Sequence, residues 1–376
     1  MARRLCSSAL VALLLAAGVR LLAQNPPAAA PPAKNPLAKL AQPWPDEEVL
    51  AARKREAEGR KLFQNGPPLE FTLTSDFNLL KKERTPNSSK QFDGVLAVDG
   101  REIAVTLGSR GHFRLNRVIC EFVPIKVTFV PDRVAGTIFE GQTTLKLGTH
   151  CQNDKEFDQY VIREYLAYTL ANLVTPSSFR ARLARATYVD AKSKKTISTH
   201  NAMFLEHEND VARRMSGRDV AMPHLQFKDL DTDTLTTMML LEYMLGNTDY
   251  SIWALHNVVI VQNKMRKLFP VAYDFDSSGM VNPPYAAPDS RLTIKKVTER
   301  LYRGPCRTVE EFTAAAEPFR ARKAEMFAAL DSMKDLNGNH KTDMRIFLES
   351  FFRGIDNPEA IKRTFVDGCH TSRSRV

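Results

Sequence analysis

Acidic and amide side chains recur in one stretch of the chain, LGNTDYSIWALHNVVIVQNKMRKLFPVAYDFDSSGMVN, at 245–282. Asp249 and Asn257 lie in the loop that leaves an apolar helix, and a predicted hairpin then leads to Asp274 and Asp276. Phosphoryl transfer needs a carboxylate that orients the attacking hydroxyl, and oxygen ligands that hold Mg²⁺ against the phosphates. Mg²⁺ takes one or two carboxylates plus an amide oxygen, so Asn257, Asp274 and Asp276 form a suitable set. The stretch therefore predicts a phosphoryl-transfer site.

Three side chains earlier in the chain could contact a phosphorylated ligand. Lys146 is the single lysine of an apolar strand, TTLKLG, and Glu164 lies on the helix that follows it. A strand lysine paired with a helix glutamate is one arrangement that holds the phosphates of a nucleotide. Arg110 lies in a Ser-Arg-Gly-His loop between two predicted strands, where it could cover the phosphates. The alternatives are a solvent-facing Lys146, a surface Glu164 and an ordinary hairpin turn at Arg110.

The elements that carry these residues change character along the chain. Apolar residues alternate with polar ones over much of 67–206, which indicates strands, although 156–174 has helical periodicity. Helical periodicity dominates 207–376 and is interrupted by one hairpin, HNVVIVQ and LFPVAYDFD. A charged helix is predicted within 46–66. This order predicts an α+β fold with a strand-rich N-terminal lobe (67–206) and a helical C-terminal lobe (207–376) that contains the embedded β-hairpin.

The first residues have the features of a targeting segment. Arg3 and Arg4 precede an apolar stretch, and small residues end it before Gln24, so 1–23 is predicted to be a signal peptide. The following 24–45 is rich in Pro and Ala and is predicted to be an extended tether. The mature chain is therefore expected outside the cytoplasm, in the periplasm or secreted, without a transmembrane span after cleavage. A membrane-retained anchor is the alternative.

The cysteines agree with export. Cys6 leaves with the predicted signal peptide, and an even number remains: Cys120, Cys151, Cys306 and Cys369. In an oxidising compartment such cysteines pair, and proximity in sequence favours Cys120–Cys151 and Cys306–Cys369. Four buried thiols are the alternative.

Composition narrows the class of protein. Of the 376 residues, 43% are hydrophobic and 26% are charged, which is the mix of a globular protein and excludes a mostly disordered chain. No apolar run reaches the roughly 18 residues of a membrane span, which excludes a polytopic membrane protein. The formal net charge of +10 suits a protein that handles anionic ligands. Because aromatic and basic residues do not interleave as in RNA-binding segments, no nucleic-acid partner is expected.

Several motifs together resemble those of the CotH kinase-like family, in particular a secreted bacterial branch. The segments that carry the resemblance are GTIFEGQTTLKLGTHC, IREYLAYTLANLVTPSSFRARLARATYVD, AMFLEHENDVARR, GNTDYSIWALHN, PVAYDFDSSGMVNPPYA and RLYRGPC. The resemblance implies an atypical protein-kinase-like two-lobe fold. It also implies a kinase that phosphorylates a protein or another hydroxyl-bearing acceptor with ATP and Mg²⁺ or Mn²⁺.

The resemblance also assigns roles to individual residues. Asp249 resembles the catalytic acid, Asp274 the metal-binding acid, and Lys146 with Glu164 the nucleotide-positioning pair. The chain departs from ordinary kinases because its Asp249–Asn257 spacing is longer, DFD replaces DFG, and a Gly-rich loop is missing from the sequence. A second class of function therefore stays open, a catalytically silent pseudokinase-like module that binds an extracytoplasmic protein or surface polymer. The sequence leaves the acceptor, and phosphoryl against nucleotidyl transfer, undecided.

Overall fold

The structure of the protein is a computed structural model, which describes 38–367 and Cys369. The strands of this part of the chain are β1 (Leu69–Ser75), β2 (Phe92–Val98), β3 (Arg101–Ser109), β4 (Ile125–Phe129), β5 (Thr144–Gly148), β6 (Ala181–Asp190), β7 (Thr196–Leu205), β8 (Arg218–Val220), β9 (Val258–Gln262) and β10 (Leu268–Ala272). Its α-helices are α1 (Ala38–Ala41), α2 (Glu47–Glu58), α3 (Phe77–Leu80), α4 (Pro131–Val134), α5 (Glu156–Val174), α6 (Glu208–Arg214), α7 (Thr232–Leu245), α8 (Val309–Ala321), α9 (Lys323–Ser332), α10 (Gly338–Gly354) and α11 (Pro358–Ile361).

Seven strands form a closed barrel in the order β1-β2-β3-β4-β5-β7-β6. Neighbours along this order are antiparallel, whereas β6 returns beside β1 and pairs with it in parallel, from Leu69 opposite Ala184 to Ser75 opposite Asp190. The β2–β3 turn has positive φ at Asp99 (49°) and Gly100 (73°), the backbone that a two-residue hairpin needs. The Asp-Gly pair therefore explains this part of the barrel.

Apolar side chains fill the barrel, because successive residues of a strand point to opposite faces. Leu145 and Leu147 of β5 belong to this interior core, together with Phe204 of β7, and Lys146 between the two leucines does not. A second core lies outside the barrel, where α5, α7 and the C-terminal helices pack together. Helix α5 contacts β7 on one side and α9 on another, so it joins the barrel to the helical part.

The prediction of an atypical protein-kinase-like, two-lobe fold is wrong. The strands assigned to an N-terminal lobe close into a barrel. The barrel closes where β1 pairs with β6, a strand far from it in the chain: Leu69 lies opposite Ala184. Local alternation of apolar residues reports which face of a strand is buried, but not which distant strand lies beside it. All described residues fall within one compact unit, Pro36–Val376.

Several local predictions are confirmed. The helix predicted at 156–174 is α5, and the apolar helix is α7, whose preceding Asp231 accepts a hydrogen bond from the Thr234 N–H. Both disulfides form as proximity suggested, with Cα–Cα distances of 4.6 Å for Cys120–Cys151 and 5.7 Å for Cys306–Cys369. These bonds indicate an oxidising, extracytoplasmic environment.

The N-terminal predictions are covered only in part. The predicted signal peptide, 1–23, lies outside the described residues, and so does 24–37 of the predicted tether. The described remainder of the tether contains the short helix α1, and α2 lies within the predicted helical segment 46–66. Among the described residues, no helix combines the length and apolar character needed to cross a membrane.

Candidate functional site

The loop that follows α7 carries Asp249 and holds it from two sides. Helix α7 ends at Gly246, whose φ of 65° is the left-handed conformation that favours glycine at a helix end. The Asn257 side-chain amide donates to the Asp249 backbone oxygen at 2.7 Å and to its carboxylate at 3.3 Å. His256 Nε2 lies 3.0 Å from the other carboxylate oxygen of Asp249. The loop thus fixes one carboxylate between an amide and an imidazole.

Asp249 and His256 form a dyad that solvent can reach. Their side chains are 49% and 55% exposed, so an incoming molecule has access to both. The hydrogen bond that His256 donates to the Asp249 carboxylate raises the pKa of His256, which favours the protonated imidazole. A carboxylate held in place beside an imidazole can accept a proton from a bound hydroxyl. Asn257, predicted as a metal ligand, directs its amide group to Asp249.

The Asp274-Phe275-Asp276 turn follows β10 and is anchored on α5. Asp274 has a φ of 63°, and its N–H donates to the Tyr168 hydroxyl at 2.8 Å. Phe275 is buried and packs on the Tyr168 ring, with a centroid distance of 4.8 Å. The anchored turn delivers Asp276 to Arg114, whose guanidinium lies 3.9 Å from the carboxylate. The tyrosine of α5 therefore sets where both acids emerge.

Glu164, Asp274 and Asp276 form an acidic cluster with too little positive charge to balance it. Glu164 is 6% exposed on α5, and its burial, with the charges of Asp276 and Asp274, raises its pKa well above the ordinary value. Burial and the charge of Asp274 raise the pKa of Asp276 to about 7. Two half-buried cations act on the cluster: Arg114 forms an ion pair with Asp276, and the charges of Arg114 and Arg110 act on Glu164. A further cation would be favourable here, because like charges in a buried site otherwise force protons onto the acids.

A small cavity of about 10 Å³ lies beside this cluster. Arg114, Glu164, Asp276 and Tyr285 belong to its lining. A volume of this size holds about one water molecule or a single ion. A nucleotide would therefore have to lie outside the cavity, with only one small group reaching it.

Lys146 pairs with Glu208 instead of Glu164. Its Nζ lies 2.5 Å from the carboxylate of Glu208, the first residue of α6. The same atom lies 4.2 Å from the centre of the Tyr273 ring. Burial acts to raise the pKa of Glu208, but the charge and hydrogen bond of Lys146 outweigh it and hold the pKa at about 2. Lys146 thus contacts Tyr273, the residue before Asp274, and its charge is balanced by Glu208.

Arg110 follows β3 directly and lies near the acidic cluster of Glu164, Asp274 and Asp276. Its N–H donates to the Pro124 backbone oxygen at 3.1 Å, and its side chain is half-buried. It is close enough to Glu164 and Tyr273 for its charge to act on both. The structure thus brings Arg110 to the acidic cluster, although the two are far apart in sequence.

Several residues of the site were not predicted. Arg114, Glu208 and Tyr285 each contact a predicted residue or line the same cavity. Arg114 had one signal, its position four residues after Arg110 in the same loop. The sequence gives no signal for Glu208 or Tyr285. Their positions near the cluster depend on the path of the chain after β7 and after β10.

The donor set fits a divalent cation that arrives with a ligand. Within the described residues, no three His, Cys, Asp or Glu side chains are arranged to hold a metal ion by themselves. Mg²⁺ is usually held by one or two carboxylates together with substrate phosphates and water. Asp274 and Asp276 supply two carboxylates of this kind, and the raised pKa of Asp276 indicates that more positive charge nearby would be favourable.

Comparison with known proteins adds no family. Neither a scan against protein-family models nor a search of the curated proteins finds a match for this chain. The resemblance to the CotH kinase-like family stays a prediction from sequence motifs.

Proposed function

We propose that the protein is an extracytoplasmic phosphotransferase that moves the γ-phosphoryl group of ATP to a hydroxyl of a protein or polymer. One observation carries the proposal: the solvent-accessible Asp249–His256 dyad precedes β9 and the acidic turn Asp274–Asp276 follows β10, and the pairing of Val258 with Ala272 brings both to the same open end of the hairpin. The first can take a proton from an alcohol, and the second attracts a divalent cation with its phosphates.

The reaction assigns a task to each group. The acceptor oxygen forms a bond to the γ-phosphorus, the bond to the β–γ bridging oxygen breaks, and ADP leaves with that electron pair. Asp249 accepts the hydroxyl proton, and His256 and Asn257 hold its carboxylate in position. Asp274 and Asp276 would hold Mg²⁺ or Mn²⁺, which neutralises phosphate charge when bound. Lys146, Glu164 and Arg110 surround the place where the phosphates would lie.

A catalytically silent binding module is the second candidate. The observation that favours it is the 2.5 Å ion pair between Lys146 and Glu208, which already satisfies the lysine. In that case the cleft would hold a partner protein or surface polymer, and the acids would serve binding only.

Two substitutions test the phosphotransferase. Asp274→Asn should lose Mg²⁺-dependent ATP binding, measured by calorimetry, because half of the carboxylate pair is gone. Asp249→Asn should leave that binding nearly unchanged and lower ADP formation about 10²–10⁴-fold, the usual contribution of a general base. Asp335→Asn, an exposed aspartate, is the control and should match the wild type in both assays.

The outcomes separate the two candidates. No binding heat with ATP at millimolar concentration and Mg²⁺ or Mn²⁺ would refute the phosphotransferase and leave the binding module. Equal loss of ATP affinity in Asp249→Asn and Asp274→Asn would contradict the division of roles between the two acids.

A further inference from the structure

A buried glutamate lies beneath the loop that carries Asp249. Glu242 belongs to the last turn of α7 and is 1% exposed. Its Oε2 accepts a hydrogen bond from the Asn247 side-chain amide at 2.9 Å. Its Oε1 is buried and, within the described residues, has no hydrogen-bond partner. Burying a polar atom without a hydrogen bond lowers the stability of the folded protein. Glu242 therefore needs an explanation other than stability.

Asn247 transmits the position of this carboxyl to Asp249. The amide nitrogen of its side chain donates to Glu242, and the amide oxygen accepts from the Asp249 backbone N–H at 3.1 Å. An amide side chain can turn over and exchange its oxygen and nitrogen. With the acceptor Glu242 on one side, only one of the two orientations places the oxygen toward Asp249. The carboxyl therefore selects the orientation that holds the loop.

A half-buried arginine holds the same turn from another direction. Arg303 donates to the backbone oxygens of Thr248 at 2.5 Å and Tyr250 at 3.0 Å. It also lies over the Tyr250 ring, 4.8 Å from the centroid. The residues on either side of Asp249 are thus fixed through their carbonyls, and Asp249 itself through its N–H. These are all contacts to backbone, as expected of groups that set a position.

We propose that Glu242 is a positioning residue, whose buried carboxyl orients Asn247 and thereby fixes the turn that carries Asp249. The inference rests on the proposed function only in naming Asp249 as the proton acceptor. Burial raises the pKa of Glu242 to about 8, and the charge of Asp249 adds to the rise, whereas the Asn247 hydrogen bond and the charge of Arg303 oppose it more weakly. The carboxyl is thus mainly neutral at pH 7, and glutamine is its closest substitute.

Hydrogen exchange of the full-length protein tests the inference without requiring activity. Glu242→Ala should speed deuterium uptake over 247–251, because Asn247 no longer holds the Asp249 N–H. Glu242→Gln should keep wild-type protection, since its amide oxygen can accept from Asn247. Met238→Ala, on the same helix and 3% exposed, is the control for lost stability. It should lower the urea midpoint without selective uptake over 247–251.

Kinetics provide the second measurement. In Glu242→Ala, ADP formation should fall about 10²-fold with ATP affinity unchanged, since a misplacement of about 1 Å costs that much. Uptake over 247–251 that stays at the wild-type rate in Glu242→Ala, or that rises equally in Met238→Ala, would overturn the inference. If the wild type forms no ADP, the proposed function fails while the exchange result still decides the role of Glu242.

Discussion

His150 should make the protein lose stability in weak acid. Its ring is fully buried, stacks on His200 at a centroid distance of 3.8 Å, and lies 4.4 Å from the Phe122 ring. Within the described residues, neither ring nitrogen has a hydrogen-bond partner. Burial, with the nearby charges of His200 and Arg114, lowers the pKa of His150 from 6.5 to about 2. The folded protein therefore keeps this imidazole neutral at pH values where the unfolded chain protonates it.

The sign and size of the effect follow from proton linkage. Below pH 6.5 the unfolded state binds a proton that the folded state does not, so the free energy of unfolding falls as the pH falls. Each pH unit is worth about 1.4 kcal/mol, and the loss continues until the folded pKa near 2 is reached. At pH 4.5, two units below the ordinary pKa, His150 alone should remove about 3 kcal/mol.

Urea unfolding of His150→Phe against the wild type measures this term. Phenylalanine keeps an aromatic ring for the stack and cannot be protonated, so the stability difference between the two proteins should change by about 3 kcal/mol from pH 7 to pH 4.5. Any packing cost of the larger ring is the same at both pH values and cancels. His112→Phe, at an exposed position, should run parallel to the wild type. If the His150→Phe and wild-type curves are parallel too, the reasoning is wrong.

Three other changes test separate parts of the structure. Replacing Cys120 and Cys151 by alanine should cost roughly 3–4 kcal/mol in urea unfolding, the value for a loop of this length, and an unchanged midpoint would contradict it. Lys146→Met should weaken ATP binding in calorimetry and raise the pKa of Glu208, measured by NMR titration, because burial of the carboxyl is then uncompensated; a Glu208 pKa still near 2 would refute the pairing. Gly246→Ala should destabilise the protein by about 1–2 kcal/mol, because a φ of 65° is costly for a residue with Cβ, and retained stability would show that the helix end adapts.

Sequence reasoning succeeded where the decisive information was local. Asp99-Gly100 identified the β2–β3 turn because only a few residue types adopt positive φ at both positions. Helix α7 was identified from its apolar run and its capping Asp231. The disulfides followed from short separations along the chain. The turn and the helix depend on residues that are neighbours in sequence, and the disulfides joined cysteines only 31 and 63 residues apart.

The errors arose where distant segments meet. Lys146 was assigned to Glu164, on the next helix, but β5 pairs with β7 so that Lys146 lies opposite Leu205, and Glu208 follows three residues later. The order of the strands therefore determines which acid lies beside Lys146. The alternation of apolar residues in the sequence does not predict that order. Glu242 had a visible signal that was not used: it is the single acid inside the most apolar part of α7.

The parallel pair that closes the barrel also constrains how the chain can fold. Strand β1 is made about 115 residues before the part of β6 that it contacts, and until then one of its edges has no partner. Contacts between such distant segments form slowly, because a long loop must close first. A chain that stops before β6 would leave β1 and β5 as two open edges, which invite pairing with other molecules. The barrel is therefore an all-or-nothing unit, and its N-terminal strands are protected from association only once β6 and β7 are in place.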